Sequence, residues 1–294
     1  MDSLGEAALR EHIMNELARR MESATTISRS ELESFTVADQ VHKLVDQSKG
    51  IRNPNYLAAT LTIISNPKGP YEDGMGSDSL YRYAYQRGSE NGSNVKLRRA
   101  MELEMPIIML RTIRPGEYVP IFPVYVVSDD RPNRQFLLAL GEGLRFIDDP
   151  LHLTLSQRRY AERVVRQRLH QPEFRAKVLL AYETQCAVCV LKKGQLLDAA
   201  HITPDSNDLG IPVVSNGLSL CKIHHAAYDS NLLGISADYV VHINGALLLE
   251  TDGPMLKHGL QEMNNRMIAL PKRLADLPDR ERLSARFEAF RKAG

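Results

Sequence analysis

A two-domain α+β chain is predicted from three features of the 294-residue sequence. The first is a helical, Ala- and Glu-containing start in which Leu9, Ile13, Leu17 and Met21 recur at four-residue steps. The second is a β-rich middle, punctuated by Pro and Gly clusters, from about residue 51 to 140. The third is a compact stretch holding all three cysteines, Cys186, Cys189 and Cys221, interleaved with histidines. The length suits two domains that each bury a core.

In the first region, residues 5–22 read as one helix, and Ser30-Glu-Leu-Glu33 has capping-box form and predicts the start of a second. Strand-like runs follow at Tyr56–Ser65, Leu80–Gln86, Pro106–Arg111 and Pro123–Ser128. Turns are expected at Asn66-Pro-Lys-Gly-Pro70 and Arg114-Pro-Gly116. These elements outline a mixed α/β or barrel-like domain over residues 1–150. Tyr81, Tyr83 and Tyr85 alternate, so they share one strand face. With Tyr71, Arg82, Arg87, Arg98 and Arg99 they suggest a base-stacking or phosphate-contacting surface. The competing reading is that the rings pack one side of the sheet. Asp73 and Asp78 read as an exposed loop.

Net charge is only +1, so any nucleic-acid affinity has to come from local clustering. Residues 151–180 form a basic helical linker carrying Arg158, Arg159, Arg163, Arg166, Arg168, Arg175 and Lys177. Arg159, Arg163, Arg166 and Arg168 are candidate phosphate contacts, and a solvated helix face is the equal alternative. Pro172 is expected to break the linker into two helices.

Residues 181–294 carry the chemistry. Cys186 and Cys189 have zinc-knuckle spacing, and Cys221 and His224 repeat it, giving a Cys3His set suited to tetrahedral zinc. Taken alone, a Cys-x-x-Cys would equally be buried thiols or a redox couple; the second half-site favours the metal. If His224 is a zinc ligand, His225 points elsewhere, since adjacent helical residues diverge by about 100°. Asp229 shares the face of His225, and the pair could hold a divalent cation with positions open for water and phosphate. His201 closes an apolar strand-like run from Leu196, where a neutral imidazole could accept a proton near pH 7. Asn216 precedes Gly217 in a turn, placed to pin the loop after His201 or to bind its ring. The alternative is histidines that merely cap or pack a zinc ribbon.

From about Phe174 to Ile243 the chain resembles the HNH endonuclease family, with its ββα-metal fold, and most resembles the zinc-containing branch found in restriction enzymes. The resemblance implies that His201 is the general base, Asn216 a structural residue and His225 a metal ligand. It also implies a catalytic Mg²⁺ or Mn²⁺ beside a structural Zn²⁺. Here His224 stands where zinc-binding members have a fourth cysteine. Ala200 stands where many members have a further metal ligand, which leaves His225 and Asp229, with Asp198 as an additional candidate. The N-terminal half resembles segments ahead of such modules, of the kind that includes SRA-like and PUA-like reader folds.

The expected function is therefore a metal-dependent restriction endonuclease acting on double-stranded DNA, with modified DNA among the candidate substrates; phage defence, genome repair and mobile-element homing are equally compatible roles. The alternative is a non-catalytic zinc-containing DNA-binding protein. A homodimer is expected, since cutting both strands requires two sites. No run of residues is apolar enough to span a membrane and no secretion signal is visible, so a cytoplasmic protein is the expectation. The tail carries an Asp252-Gly-Pro254 turn and a helix from Arg280 to Lys292 with Leu283, Phe287 and Phe290 on one stripe, expected to buttress the zinc module or a dimer contact.

Overall fold

The structure is a computed structural model that describes residues 3–46, 49–66, 74–75, 80–86, 92–205, 207 and 209–293. Tyr71, Asp73, Asp78, Arg87 and the turn from Pro67 to Pro70 lie outside these residues. The chain divides into two compact units, Met1–Glu173 and Phe174–Gly294.

The first unit is built on a mixed sheet. Thr62–Ser65 pairs in parallel with Ile107–Arg114, which continues antiparallel into the long strand Glu117–Asp130, then Gln135–Ala139 and Tyr81–Ala84. Ile107, Met109, Val124, Phe136 and Leu138 are buried together on one side. Ile108, Leu110 and Tyr118 meet Ile13, Leu17 and Leu32 on the other. The central strand Ile107–Arg114 is therefore apolar at consecutive positions, as expected of a strand covered on both faces.

The first helix, Ser3–Met21, is fixed by an ion pair as well as by its apolar stripe. Arg10 is fully buried and donates to Glu6 at 2.6 Å, to the Thr60 and Ala59 carbonyls at 2.8 and 3.0 Å, and to the Pro106 carbonyl at 2.7 Å. Glu6 also accepts from the N–H groups of Ala58 and Ala59. Burial pushes the Glu6 carboxyl up, but Arg10 and the two N–H groups outweigh it and hold it below its ordinary 4.5. A depressed carboxylate stabilises the fold above the unfolded value, and that stability is lost as pH falls through the native one. Glu6→Gln, which leaves a buried guanidinium without its counter-charge, is expected to cost about 3–5 kcal/mol at pH 7. Urea unfolding should show the difference from wild type shrinking toward pH 3; an equal difference at both pH values would contradict this account.

Three expectations need correction. Tyr81, Tyr83 and Tyr85 do share a face, but it is the inner one, and all three rings are buried. A stacking platform requires open ring faces, and these pack against the core while the Tyr85 hydroxyl donates to Asp129. The capping box is formed by Ser28 and Glu31, not Ser30 and Glu33, and starts the short helix Arg29–Glu33. Residues 151–180 are not a separate linker. The helix Leu155–Val165 runs through a π turn, Arg166–His170, into the helix Gln171–Ala181. Ala161, Val165 and Leu169 are buried in the first unit, whereas Phe174, Val178 and Leu179 are buried in the second. Pro172 does not end the helix: it falls in its first turn after the π turn, where a missing N–H costs least.

The second unit centres on an antiparallel hairpin, Leu197–His201 with Gly217–Cys221, followed by the helix Lys222–Asp229. A second hairpin, Leu233–Ile235 with Val241–Ile243, and the terminal helix Arg280–Ala293 complete the unit. The terminal helix packs on the second hairpin at Gly234, where an added Cβ would lie 2.5 Å from Phe290. Its Arg286 donates to the Tyr228 carbonyl at 2.6 Å. Buttressing of the metal module is thus its role within this unit. Among the described residues no helix is long and apolar enough to cross a membrane.

Candidate active site and metal centre

The register of the first hairpin separates two sites. Leu197 pairs with Cys221 at one end and His201 with Gly217 at the other. Four residues of strand span about 13 Å, so the sulfur cluster and the candidate base sit at opposite ends of the same ladder.

At the cysteine end, the turn after Cys186 is tied to the hairpin by the Ala187 N–H, which donates to the Ser219 carbonyl at 2.6 Å. Cys221 caps the helix that carries His224. The ligand atoms of Cys186, Cys189, Cys221 and His224 all lie within 4.8 Å of one another. Cys189 and Cys221 sulfurs are 3.9 Å apart, and His224 Nδ1 is 3.1 and 3.5 Å from the sulfurs of Cys221 and Cys186. Around tetrahedral zinc, bond lengths of about 2.3 and 2.0 Å set edges of about 3.8 Å between sulfurs and about 3.5 Å from sulfur to nitrogen. The Cys189–Cys221 and Cys186–His224 separations match those edges, and the Cys221–His224 separation is about 0.4 Å shorter. His224 Nε2 faces the Gly259 carbonyl at 2.7 Å, which fixes the ring with Nδ1 toward the sulfurs, the arrangement usual for a metal-bound histidine. These four residues can hold a metal such as zinc.

The neighbouring His225 turns away, as the helical angle requires. Its Nδ1 lies 3.4 Å from Asp198 Oδ2 and its Nε2 lies 3.3 Å from Asp229 Oδ2. Asp198 is also paired with Lys222 at 2.8 Å; burial pushes its carboxyl up, but the hydrogen bonds from Lys222 and His225 outweigh it and hold it below the ordinary range. Asp229 is largely exposed. The two carboxylates thus occupy opposite edges of one imidazole. A single ion cannot bind both nitrogens of one ring, so Asp198, His225 and Asp229 do not form one three-ligand set in this arrangement. One nitrogen with one carboxylate remains a fit for Mg²⁺, which commonly takes one or two carboxylates and fills its other positions with water and phosphate.

His201 ends its strand half-buried, with its ring stacked on Phe174 at 4.1 Å between centroids and 17° between planes. Burial lowers the pKa of the imidazole from its ordinary 6.5. Asp205 and Asp229 act in the opposite sense and His225 in the same sense, so the ring feels the charges of the His225–Asp229 edge. Asn216 is fully buried. Its side chain accepts from the Thr203 N–H at 2.8 Å and donates to the Thr203 and Ile211 carbonyls at 3.0 and 3.1 Å. Of the two roles open to it, the structure gives it the pinning of the loop after His201.

Among the arginines singled out, Arg159, Arg163 and Arg166 are exposed at helical spacing i, i+4 and i+7. Arg168 is exposed too, but its guanidinium lies against Gly141 and donates to the Phe122 carbonyl at 3.3 Å. Arg175 holds the Gly194 and Leu197 carbonyls and is structural. Three contributors were missed in the sequence: Phe174, Lys222 and the Gly259 carbonyl. Of these only Lys222 was recoverable, because pairing Leu197 with Cys221 brings the start of the following helix beside Asp198.

This geometry agrees with what the sequence matches. Residues 186–236 match the HNH endonuclease family, and the segment is an HNH endonuclease domain. That match supports a nuclease, a phosphodiester hydrolase. No curated protein matches the chain. Among solved structures, a modification-dependent TagI restriction endonuclease is 16% identical, with a TM-score of 0.28 and 90% of each chain covered. The SRA domain of SUVH5 with hemimethylated CG DNA is 18% identical, TM-score 0.28, covering 44% of this chain and 89% of that one. The phosphorothioation-dependent type IV restriction endonuclease ScoMcrA is 16% identical, TM-score 0.23, covering 62% of this chain and 48% of that one. Likenesses this distant transfer neither an activity nor a substrate.

Proposed function

We propose that the protein is a metal-dependent DNA endonuclease of restriction type, able to act on modified foreign DNA, with His201 as general base. The observation that carries the reading is the convergence of a half-buried His201, a buried loop-pinning Asn216 and a His225–Asp229 pair on one strand–strand–helix unit. Burial favours the neutral imidazole, the form that takes a proton from water. Asn216 holds the loop that follows the base.

His225 Nε2 and Asp229 would hold the divalent cation. This edge is the more exposed one, and its carboxylate is the one whose charge reaches His201. Asp198 then accepts from Nδ1–H of His225 and orients the ring, an outer partner rather than a ligand. When bound, Mg²⁺ or Mn²⁺ supplies Lewis-acid stabilisation of the charge that grows on the phosphate. Arg159, Arg163 and Arg166 serve as sequence-independent phosphate contacts, with Arg168 at their end. Zinc at the Cys3His quartet braces the module without taking part in the reaction. Cutting both strands needs two such sites, so a homodimer belongs to the proposal.

Supercoiled plasmid should be nicked or linearised with added Mg²⁺ or Mn²⁺ and left intact with EDTA. Parallel unmodified, methylated and hydroxymethylated substrates read any modification preference. A protein that binds DNA but cuts none of the three under either metal would instead be a non-cleaving zinc-containing DNA-binding module. The division of the carboxylates has its own check by Mn²⁺ electron paramagnetic resonance. Asp229→Ala should abolish the bound-ion signal at micromolar protein, whereas Asp198→Ala should weaken affinity about 10- to 100-fold. The reverse order would make Asp198 the ligand.

A further inference from the structure

We infer that Phe174 is the positioning residue for His201: its ring face, rather than a hydrogen bond, sets the plane in which the base works. The inference rests on the reading of His201 as general base. The two ring planes are close to parallel, 17° apart, with centroids at 4.1 Å, a stacked pair. Phe174 is itself buried at 3% exposure, held in the core formed by Val178, Leu218 and Leu220. It is therefore a fixed surface, and the imidazole at the strand end is the part that has to conform to it.

The fit on the other side of Phe174 is equally specific. Gly217 is the residue paired with His201 across the ladder. A Cβ on Gly217 would lie 2.9 Å from Phe174 Cζ and 2.4 Å from Val178 Cγ2. Both distances are shorter than side chains tolerate, so the absence of a side chain at 217 is what lets the helix Gln171–Ala181 bring Phe174 under the base. Among the described residues no side chain or carbonyl bonds either ring nitrogen of His201. The contact that fixes the ring plane is therefore the stack on Phe174. A general base normally owes its orientation to a carboxylate or carbonyl on its second nitrogen; here a ring face does that work. The same contact shields one face of the imidazole from water, in line with the downward pull of burial on its pKa.

The test uses the full chain, zinc-loaded, with histidine rings isotopically labelled for NMR. The His201 ring signal is the one that disappears in His201→Ala. In Phe174→Leu and Phe174→Met, which keep apolar volume but lose the flat face, that signal should lose its ring-current shift. Zinc content and the other histidine signals should stay as in wild type. Plasmid cleavage by the same variants should show kcat reduced about 10- to 100-fold, the scale of a small misplacement of a reacting group, with KM nearly unchanged. If His201→Ala abolishes cleavage but both Phe174 variants keep wild-type kcat, the positioning role is overturned and the base assignment stands. If His201→Ala still cleaves, the base assignment itself has failed. Loss of zinc or of the remaining histidine signals in both variants would make Phe174 a core residue only and would also overturn the inference.

Discussion

His201→Ala is expected to reduce DNA cleavage by at least about 10²- to 10⁴-fold, the usual contribution of a positioned general base, while DNA binding and zinc content stay at wild-type levels. The separation follows from the structure: the side chain lies at the end of the hairpin away from the sulfur quartet, and truncating it removes no metal ligand and no buried hydrogen bond. A pH profile sharpens the test. The base must be neutral to accept a proton, and burial depresses its pKa from 6.5. It therefore stays neutral as pH falls to 6.5, and protonation removes activity only below that value. The acid limb of kcat should accordingly lie below pH 6.5 and vanish from any residual activity of the variant. A limb centred above 6.5 would mean that a different group limits the reaction, and a variant that cuts at the wild-type rate would remove His201 from the mechanism.

The parts of this site that sequence could reveal are those fixed by local periodicity. The divergence of His224 and His225 needs only the helical angle, and the structure places one in the sulfur quartet and the other beside Asp198 and Asp229. The strand ending at His201 was legible to within one residue, because an apolar run closing before Pro204 has few other readings. Periodicity was silent on direction. Tyr81, Tyr83 and Tyr85 alternate whether their shared face looks in or out, and only burial decides that it looks in. The strand Gln135–Ala139 went unread. Contacts distant in sequence were beyond reach altogether: nothing near Gly259 announces that its carbonyl orients a histidine, and nothing near Phe174 announces the His201 ring stacked on it. Pro172 misled for a related reason. Its effect depends on whether a π turn precedes it, and that depends on which core each side of the helix enters.

Removing the quartet's metal should have the largest effect on the protein itself. The quartet is carried by two five-residue strands and an eight-residue helix, joined to a knuckle turn that holds neither strand nor helix. Cys186 anchors the turn, Cys221 ends the strand and caps the helix, and His224 ties that helix to Gly259. One ion bonded to all four ligands would join the knuckle turn, the strand end and the helix at a point. Binding free energies of structural zinc sites, about 10–16 kcal/mol, match or exceed the whole stability of an ordinary domain, about 5–15 kcal/mol. Cys186→Ser, or a strong chelator acting on wild type, is therefore expected to unfold residues 174–294 while the first unit, with its own cores and its buried Arg10–Glu6 pair, keeps its protection. Hydrogen exchange resolved by peptide would show protection lost on one side of residue 173 only, with one zinc released per chain. His224→Cys, by contrast, keeps four ligands and should retain the ion, with affinity lowered by loss of the Gly259 contact. A Cys186→Ser protein that stays folded, metal-free and able to cut DNA would show that the sulfur quartet does not brace the nuclease module.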